Sequence, residues 1–414
     1  MLHRVARHRA ATVSTALVLA LGLAACSTSG GADGPDDTVS SAAAADGGTT
    51  GDSVSDETSA PEPTKPVVTA NVSKGSVVPV STLVATEVAD GSLTRVTLSS
   101  AAGTVDGTLA EDGSSWTAGD RLEPGTEYTL KAVAENDETT ARKRVRFTTD
   151  ALTLDDQTYA SVAPLEGQTV GVGMPVIVRF DIPVTDKAAF EENMSVTATP
   201  QQAGTWHWLS DTEVHWRPKS YWQAGSEVTV DLDVNGVDAG NGIYGQESRT
   251  VHFTVGDANV YKVNAQTHEM KVFSNGELVR TLPITTGKEG FTTRSGTKVI
   301  IEKFDSKRMN SETVGIANDS AEGYDIDDVQ YAMRLTYSGE FIHAAPWSVA
   351  SQGNANVSHG CTGLSTANAQ WLYQMTQIGD VVEYTGTDRP MTLDNGYGDW
   401  NETFQQYKQG SALA

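Results

Sequence analysis

Two stretches of the chain, 100 residues apart, match at the positions that decide a fold: "SSWTAGDRLEPGTEYTL" and "VHWRPKSYWQAGSEVTV". Trp116 falls on Trp216, Leu122 on Trp222, Gly125 on Gly225, Glu127 on Glu227 and Thr129 on Thr229. "VRFTT" (145–149) and "VHFTV" (251–255) then close the two units. Around them, short runs of alternating polar and apolar residues are cut by Gly, Asp-Gly and Pro-Gly turns, the pattern of antiparallel strands with one buried face. A repeat of this length suits two sheets packed face to face.

The repeat therefore predicts two tandem β-sandwiches of immunoglobulin-like size, over 66–150 and 151–256, without the cysteine pair of antibody domains. Neither unit carries a nucleophile beside a base or a metal cluster. His207 and His215, in "TWHWLSDTEVHW", read as paired-strand residues around a tryptophan core. Both sandwiches are expected to act as spacers.

The N-terminus has a basic start (Arg4, Arg7, Arg9) and a short apolar run to Ala25, the layout of an export signal over residues 1–25. It ends in Leu23-Ala24-Ala25-Cys26, which resembles a bacterial lipobox, so Cys26 is expected to be lipidated and to anchor the chain to a membrane. Residues 26–65 hold almost no large apolar side chain, with eight acids against the single Lys65. Such a segment cannot bury a core and reads as a disordered tether. A coil of about 40 residues spans roughly 35 Å on average and at most on the order of 130 Å. The expected location is the outer face of the cytoplasmic membrane, facing the cell wall.

The whole chain has 29 Lys and Arg against 53 Asp and Glu, a formal charge of −24, which would repel a nucleic acid partner. With Cys26 lipidated, Cys361 is the remaining thiol. A single thiol in an oxidising compartment is a liability unless it is buried or used.

Cys361 lies in a third, β-rich unit predicted over 257–385. It opens with a hairpin at Asn275-Gly276 and includes an amphipathic helix from about 366, "TANAQWLYQMTQ". The tail, 386–414, places Trp400, Phe404 and Tyr407 at helical spacing, as a short helix docked back on the body. A cysteine nucleophile needs a base and donors for the oxyanion. His343 ends a predicted strand 18 positions before Cys361, and the Gly-rich loop "SQGNANVSHG" returns the chain to it. A cationic imidazole and the following helix are expected to lower the thiol pKa. Backbone N–H groups around Gly360 are candidates for the oxyanion hole. A buried structural cysteine and a zinc site of His343, His359 and Cys361 are the competing readings; His-X-Cys adjacency is poor geometry for two ligands of one ion.

The segment "HAAPWSVASQGNANVSHGCTGLS" closely resembles the active-site signature of the L,D-transpeptidases (YkuD-like catalytic domain), and the match continues through "YSGEFIH" and the "AQWLY" helix. The lipobox, acidic tether, two immunoglobulin-like domains and C-terminal extension resemble the actinobacterial lipoprotein type. The resemblance implies a mainly β chain: two tandem immunoglobulin-like β-sandwiches followed by a β-rich catalytic domain with a C-terminal extension. It implies Cys361 as nucleophile and His343 as its base or ion-pair partner, with His359, Gly360 and Thr362 shaping the oxyanion region. Tyr324 and Met309 resemble flap residues over the pocket, which Ser338, Trp347 and Ser358 would line. The implied partners are peptidoglycan stem peptides as donor and acceptor, and carbapenems as acylating inhibitors; no metal or organic cofactor is implied.

Two departures stand out. The family usually has an apolar residue and then Asn after the cysteine, where this chain has Thr362 and Gly363. Related members often have Ser after the histidine, where this chain has Ala344. The loss of the Asn side chain is expected to weaken contacts, so that Gly363→Asn would speed acylation. Two other functions stay open at this point: a cysteine carboxypeptidase or peptidase that resolves the same thioester with water, and a non-catalytic wall-binding lipoprotein.

Overall fold

The computed structural model describes residues 64–414. Cys26, the signal and most of the tether lie outside the described residues.

The strands between Val67 and Thr149 form a four-stranded and a five-stranded sheet around a core that includes Trp116, Leu122, Tyr128 and Phe147. Those between Gln157 and Val255 form two four-stranded sheets around Trp206, Trp208, Trp216, Trp222 and Phe253, with a small three-stranded sheet beside them. The repeat is visible in how each tryptophan is housed. A Cβ on Gly107 would come within 2.2 Å of the Trp116 ring, and one on Gly204 within 2.2 Å of the Trp216 ring. In both units a glycine on the neighbouring strand lets the indole lie flat on the backbone. Gly125 and Gly225 both sit at positive φ, +57° and +77°, at the turn that enters the next strand.

The remaining strands build a five-stranded sheet and a four-stranded sheet, with the helix Thr366–Met375 packed on the second. Ser365 caps that helix, its Oγ accepting from the Asn368 N–H at 3.3 Å. Inward residues of both sheets and the helix, among them Tyr261, Met270, Met333, Ile342, Leu364 and Leu372, share one core.

The second sandwich is docked against this unit and is more than a spacer. Gly171 and Gly173 N–H groups donate to the Ile378 and Gly379 carbonyls, each at 2.8 Å. The approach is so close that a Cβ at Gly171 would meet the Asp380 backbone at 2.2 Å. Val381 of the five-stranded sheet belongs to the core of the sandwich.

The tail completes the contact. It forms a 3-10 turn, Asp399–Asn401, and a helix, Phe404–Lys408, and both lie on the second sandwich. The fully buried Arg217 places its guanidinium 4.4 Å from the Tyr407 ring centroid and 4.7 Å from that of Trp400, and donates to the Glu402 carbonyl at 3.0 Å. Trp400 Nε1 donates to the Gly173 carbonyl at 2.8 Å. His207 Nδ1 donates to the Tyr407 carbonyl at 2.7 Å. His215 is 1 % exposed and lies between two carboxylates, Asp399 and Glu213, each at 2.8 Å.

Burial opposes a charge on His215, but the Asp399 carboxylate and then Glu213 override it and push the imidazole up to about 9. Burial likewise works against Glu213, yet His215 and Arg179 hold its carboxyl down to about 2. His215 binds its proton more tightly in the folded chain. Its contribution is therefore complete below the ordinary imidazole value of about 6.5 and fades as pH climbs through about 9. The Glu213 contribution is complete above about 4.5 and is lost only as pH falls through about 2. Replacing His215 with Ala leaves Asp399 buried without its cation and is expected to cost about 3–5 kcal/mol near pH 7. Tryptophan-monitored urea unfolding should show an earlier midpoint for His215→Ala, with the wild-type loss of stability between pH 7 and 10 flattened. An unchanged midpoint would mean that the aromatic packing around Arg217 holds the tail alone.

Candidate active site

A parallel pairing of two short strands, Phe341–Ala344 and Thr362–Leu364, sets His343 opposite Gly363 in the register. That register brings His343 and Cys361 to one cavity of about 250 Å³. Its lining includes Met309, Tyr324, Trp347, Ser358 and His359, so seven of the ten site residues expected from sequence meet there, together with Gly363. Gly360, Thr362 and Ser338 are not part of the lining.

Each of those three has a different place. Gly360 stands at φ +125°, where a side chain would be strained. Its N–H donates to Ser358 Oγ at 3.1 Å and its carbonyl accepts from Thr293 Oγ1 at 2.7 Å. The Gly360 N–H is thus already satisfied within the loop, against its expected place in an oxyanion hole. Ser358 Oγ in turn donates to the Cys361 carbonyl at 2.6 Å and fixes the turn that presents the thiol. Thr362 is fully buried and turns away, its hydroxyl 2.6 Å from the Tyr384 hydroxyl. Ser338 sits beside the cavity, its hydroxyl held by Thr336 and by Asn395 of the tail. Its neighbour Gly339 supplies the carbonyl that accepts from Cys361 Sγ at 3.6 Å.

The protonation of the pair differs from the sequence expectation. Burial pushes the Cys361 thiol up to about 11, rather than below its ordinary value. Burial also lowers His343, so the imidazole is neutral and supplies no cation. The capped helix begins at Thr366, with the strand Thr362–Leu364 between it and the thiol, so its N-terminus does not point at sulfur. His343 Nδ1 lies 2.8 Å from the Ala344 carbonyl. A carbonyl can only accept, so Nδ1 carries the proton and Nε2 keeps its lone pair. Ala344 at the usual Ser position therefore still orients the ring, through its backbone. Trp347, 58 % exposed at the cavity mouth, lies against the imidazole with ring centroids 5.9 Å apart.

A hairpin of the strands Glu302–Asn310 and Asp325–Arg334 carries the roof. Met309 and Tyr324 face the cavity from it, and burial raises the Tyr324 phenol to about 12. Glu322, unremarkable in sequence, fastens the roof by pairing with both Lys288 and His359 Nε2, the latter at 2.7 Å. Those hydrogen bonds, Lys288 first, hold its carboxyl below the usual range. His359 is clasped between Phe291, at 4.6 Å, and Tyr324, at 5.2 Å. With one ring nitrogen on Glu322, it serves the roof rather than a metal. Val314, on the same hairpin, packs against Gly339 so closely that a Cβ there would meet it at 2.6 Å.

Gly363 reverses the reading of the departure. A Cβ at this position would lie 2.9 Å from Thr285 Cγ2 and 3.0 Å from Ala345 Cβ. Thr285 is buried and bonded to Gly363 in both directions, through the Gly363 N–H at 2.9 Å and its carbonyl at 3.2 Å. The pocket wall is built around a glycine, and a larger residue must displace it.

Residues 75–238 match the model of a bacterial Ig domain, and residues 258–383 match that of the L,D-transpeptidase catalytic domain. L,D-transpeptidase 2 of Mycobacterium tuberculosis is 37% identical over 304 residues, which is 73% of this chain and 74% of that protein. L,D-transpeptidase 5 of the same organism is 37% identical over 256 residues, 60% of this chain and 55% of that one. Among solved structures, the LD transpeptidase LdtMt1 in complex with imipenem is 37% identical with a TM-score of 0.49, covering 56% of this chain and 99% of that one. The chain belongs to the L,D-transpeptidase family, an enzyme whose catalytic domain follows a bacterial Ig region.

Proposed function

We propose that this enzyme forms 3→3 cross-links in peptidoglycan by acyl transfer through Cys361. The observation that carries the proposal is the cavity in which a half-buried thiol and an oriented, neutral imidazole meet beneath the Met309–Tyr324 roof. With His343 neutral and the thiol pushed up, the resting pair is uncharged, and the proton moves as sulfur attacks. The Sγ proton passes to His343 Nε2 while the sulfur lone pair adds to the carbonyl of the diamino acid at position three of a tetrapeptide stem. The tetrahedral intermediate collapses, the bond to D-Ala breaks, and the imidazolium returns its proton to the leaving amine. A side-chain amine of a second stem then attacks the thioester and loses a proton to His343, and the thiol is restored.

The same geometry admits a β-lactam, whose strained amide presents an equivalent carbonyl. A carbapenem should form a one-to-one adduct on Cys361, read by intact-protein mass spectrometry, and none on Cys361→Ser, since an alcohol is a poor nucleophile without a stronger base. His343→Ala should slow the adduct by about 10²–10⁴-fold. Burial keeps His343 below its ordinary value, so the acid limb of the rate profile should lie below pH ~6.5. Incubation with a tetrapeptide stem should yield cross-linked dimer. Tripeptide without dimer would make the enzyme a carboxypeptidase, and no adduct on a folded chain would leave a wall-binding protein.

The crowding at Gly363 gives a second expectation, opposite to the one from sequence alone. Gly363→Asn must push Thr285 or Ala345 aside and should cost about 1–3 kcal/mol of stability. Carbapenem acylation should slow, by roughly tenfold for each 1.4 kcal/mol added to the barrier. A faster variant would show that the wall yields at no cost.

The lipobox-like segment supports a lipid anchor at Cys26 and a location on the outer face of the cytoplasmic membrane. The native chain should then partition with membranes and carry acyl chains at Cys26, and Cys26→Ala should remove both. A mature chain that begins elsewhere with Cys26 unmodified would overturn the anchor.

A further inference from the structure

Three charged side chains that take no part in the acyl-transfer scheme are packed against the loop that presents the thiol. Lys298 is fully buried, and Glu340 and Arg294 are 5% and 15% exposed. Lys298 Nζ is paired with Glu340 Oε2, while Glu340 Oε1 accepts from Arg294 Nη1 at 3.0 Å and from the Arg294 N–H at 3.1 Å. The ammonium also stands 3.8 Å from the Tyr384 ring centroid.

Glu340 ties this group to the nucleophile from both sides of the backbone. Gly339, before it, offers the carbonyl that accepts from Cys361 Sγ. Phe341, after it, turns its N–H toward the thiol and favours the thiolate. A Cβ on Gly360 would lie 3.7 Å from Glu340 Cγ, so the carboxylate side chain packs under the residue next to the nucleophile.

Two cations share one carboxylate. Among the described residues neither Lys298 nor Arg294 has a second acidic partner, so the trio carries a net charge of plus one in a nearly dry environment. An uncompensated buried charge is costly, and a negative charge formed beside it relieves that cost.

We propose that Lys298 and Arg294, held by Glu340, form a buried cationic brace that stabilises the negative charge developing on Cys361 as it loses its proton, making Lys298 a positioning residue of the acyl transfer. This rests on Cys361 being the nucleophile. The brace exchanges no proton: the Sγ proton goes to His343 and the lone pair forms the carbon–sulfur bond. Burial pushes Lys298 down to about 8, and a thiolate at Cys361 would raise it. The influence is mutual, because the Lys298 charge favours the thiolate while Glu340 opposes it. The other titratable groups around the thiol are His343 on its own sheet, Tyr384 on the neighbouring sheet, Tyr324 on the roof and His359 in the loop.

The test is the pH profile of Cys361 alkylation by iodoacetamide, which needs no substrate turnover. Lys298→Met makes the trio neutral and should slow alkylation at pH 7, below the value of about 8 at which Lys298 loses its own charge. The rate at pH 7 should be roughly tenfold lower for every pH unit by which the apparent thiol value rises there. Glu340→Gln removes the carboxylate that opposes the thiolate and should speed alkylation at pH 7. The double variant restores plus one and should return the profile toward that of the native chain. A pair that serves only packing would do the opposite, with the double variant the most perturbed. Rates at pH 7 moved in the same direction by both single variants, or a double variant worse than either, would overturn the proposal. If Lys298→Met does not fold, Glu340→Gln and the double variant decide alone. If alkylation follows the charge while tetrapeptide yields no acyl adduct, the brace stands and the proposed reaction fails.

Discussion

Everything at the site hangs on a three-residue parallel pairing. Ile342 faces Thr362, His343 faces Gly363 and Ala344 faces Leu364. A parallel pair needs a connection that leaves one strand and returns to the same end of the other. Here the segment between Ala344 and Thr362 does so and delivers the thiol one residue before the pairing begins. A slip by a single residue would turn Leu364 out of the core and move Cys361 out of reach of the imidazole. Leu364 and Ile342 at 0 % exposure are therefore what keeps the nucleophile in register with its base.

The parts of this arrangement that the sequence disclosed are those carried by local pattern. The 100-residue repeat, its glycine turns and the thiol between a strand and a helix were all legible, because strand alternation and turn chemistry act over short distances. The direction of the thiol pKa was not. It depends on how deeply Cys361 and His343 are enclosed, and enclosure belongs to the folded chain. Glu322 could not be recognised, since its partners Lys288 and His359 lie 34 and 37 positions away. Lys298 left a faint signal: a lysine in "TKVII", a run otherwise suited to a buried strand. Its partner, 42 residues on, left none.

Gly363 shows why a residue's place in a family pattern does not transfer without its surroundings. Read as a motif, the position lacks a side chain. Read as a packing site, the volume that a side chain would fill belongs to Thr285 and Ala345. The histidines of the second sandwich make a related point. His207 and His215 do lie on paired strands, opposite each other in the register. Their rings, however, are spent on the tail, through the Tyr407 carbonyl and the Asp399 carboxylate.

The tail also bears on where this protein can be cut and recombined. Sequence homology marks a catalytic module that stops at residue 383. The chain beyond it reaches Ser338 through Asn395, Thr297 through Asn401, and the second sandwich through Asp399, Trp400 and Tyr407. A boundary drawn at 383 would strip support from the loop next to the thiol, uncover Arg217 and leave His215 with one of its two carboxylates. By contrast, the first sandwich meets the second through a few polar groups such as the half-buried Arg121 with Asn193 and Asp233. The smallest interchangeable part is thus the second sandwich, catalytic sheets and tail together. In gene fusion or domain shuffling, the first sandwich is the piece whose loss leaves every contact of the cavity described above in place.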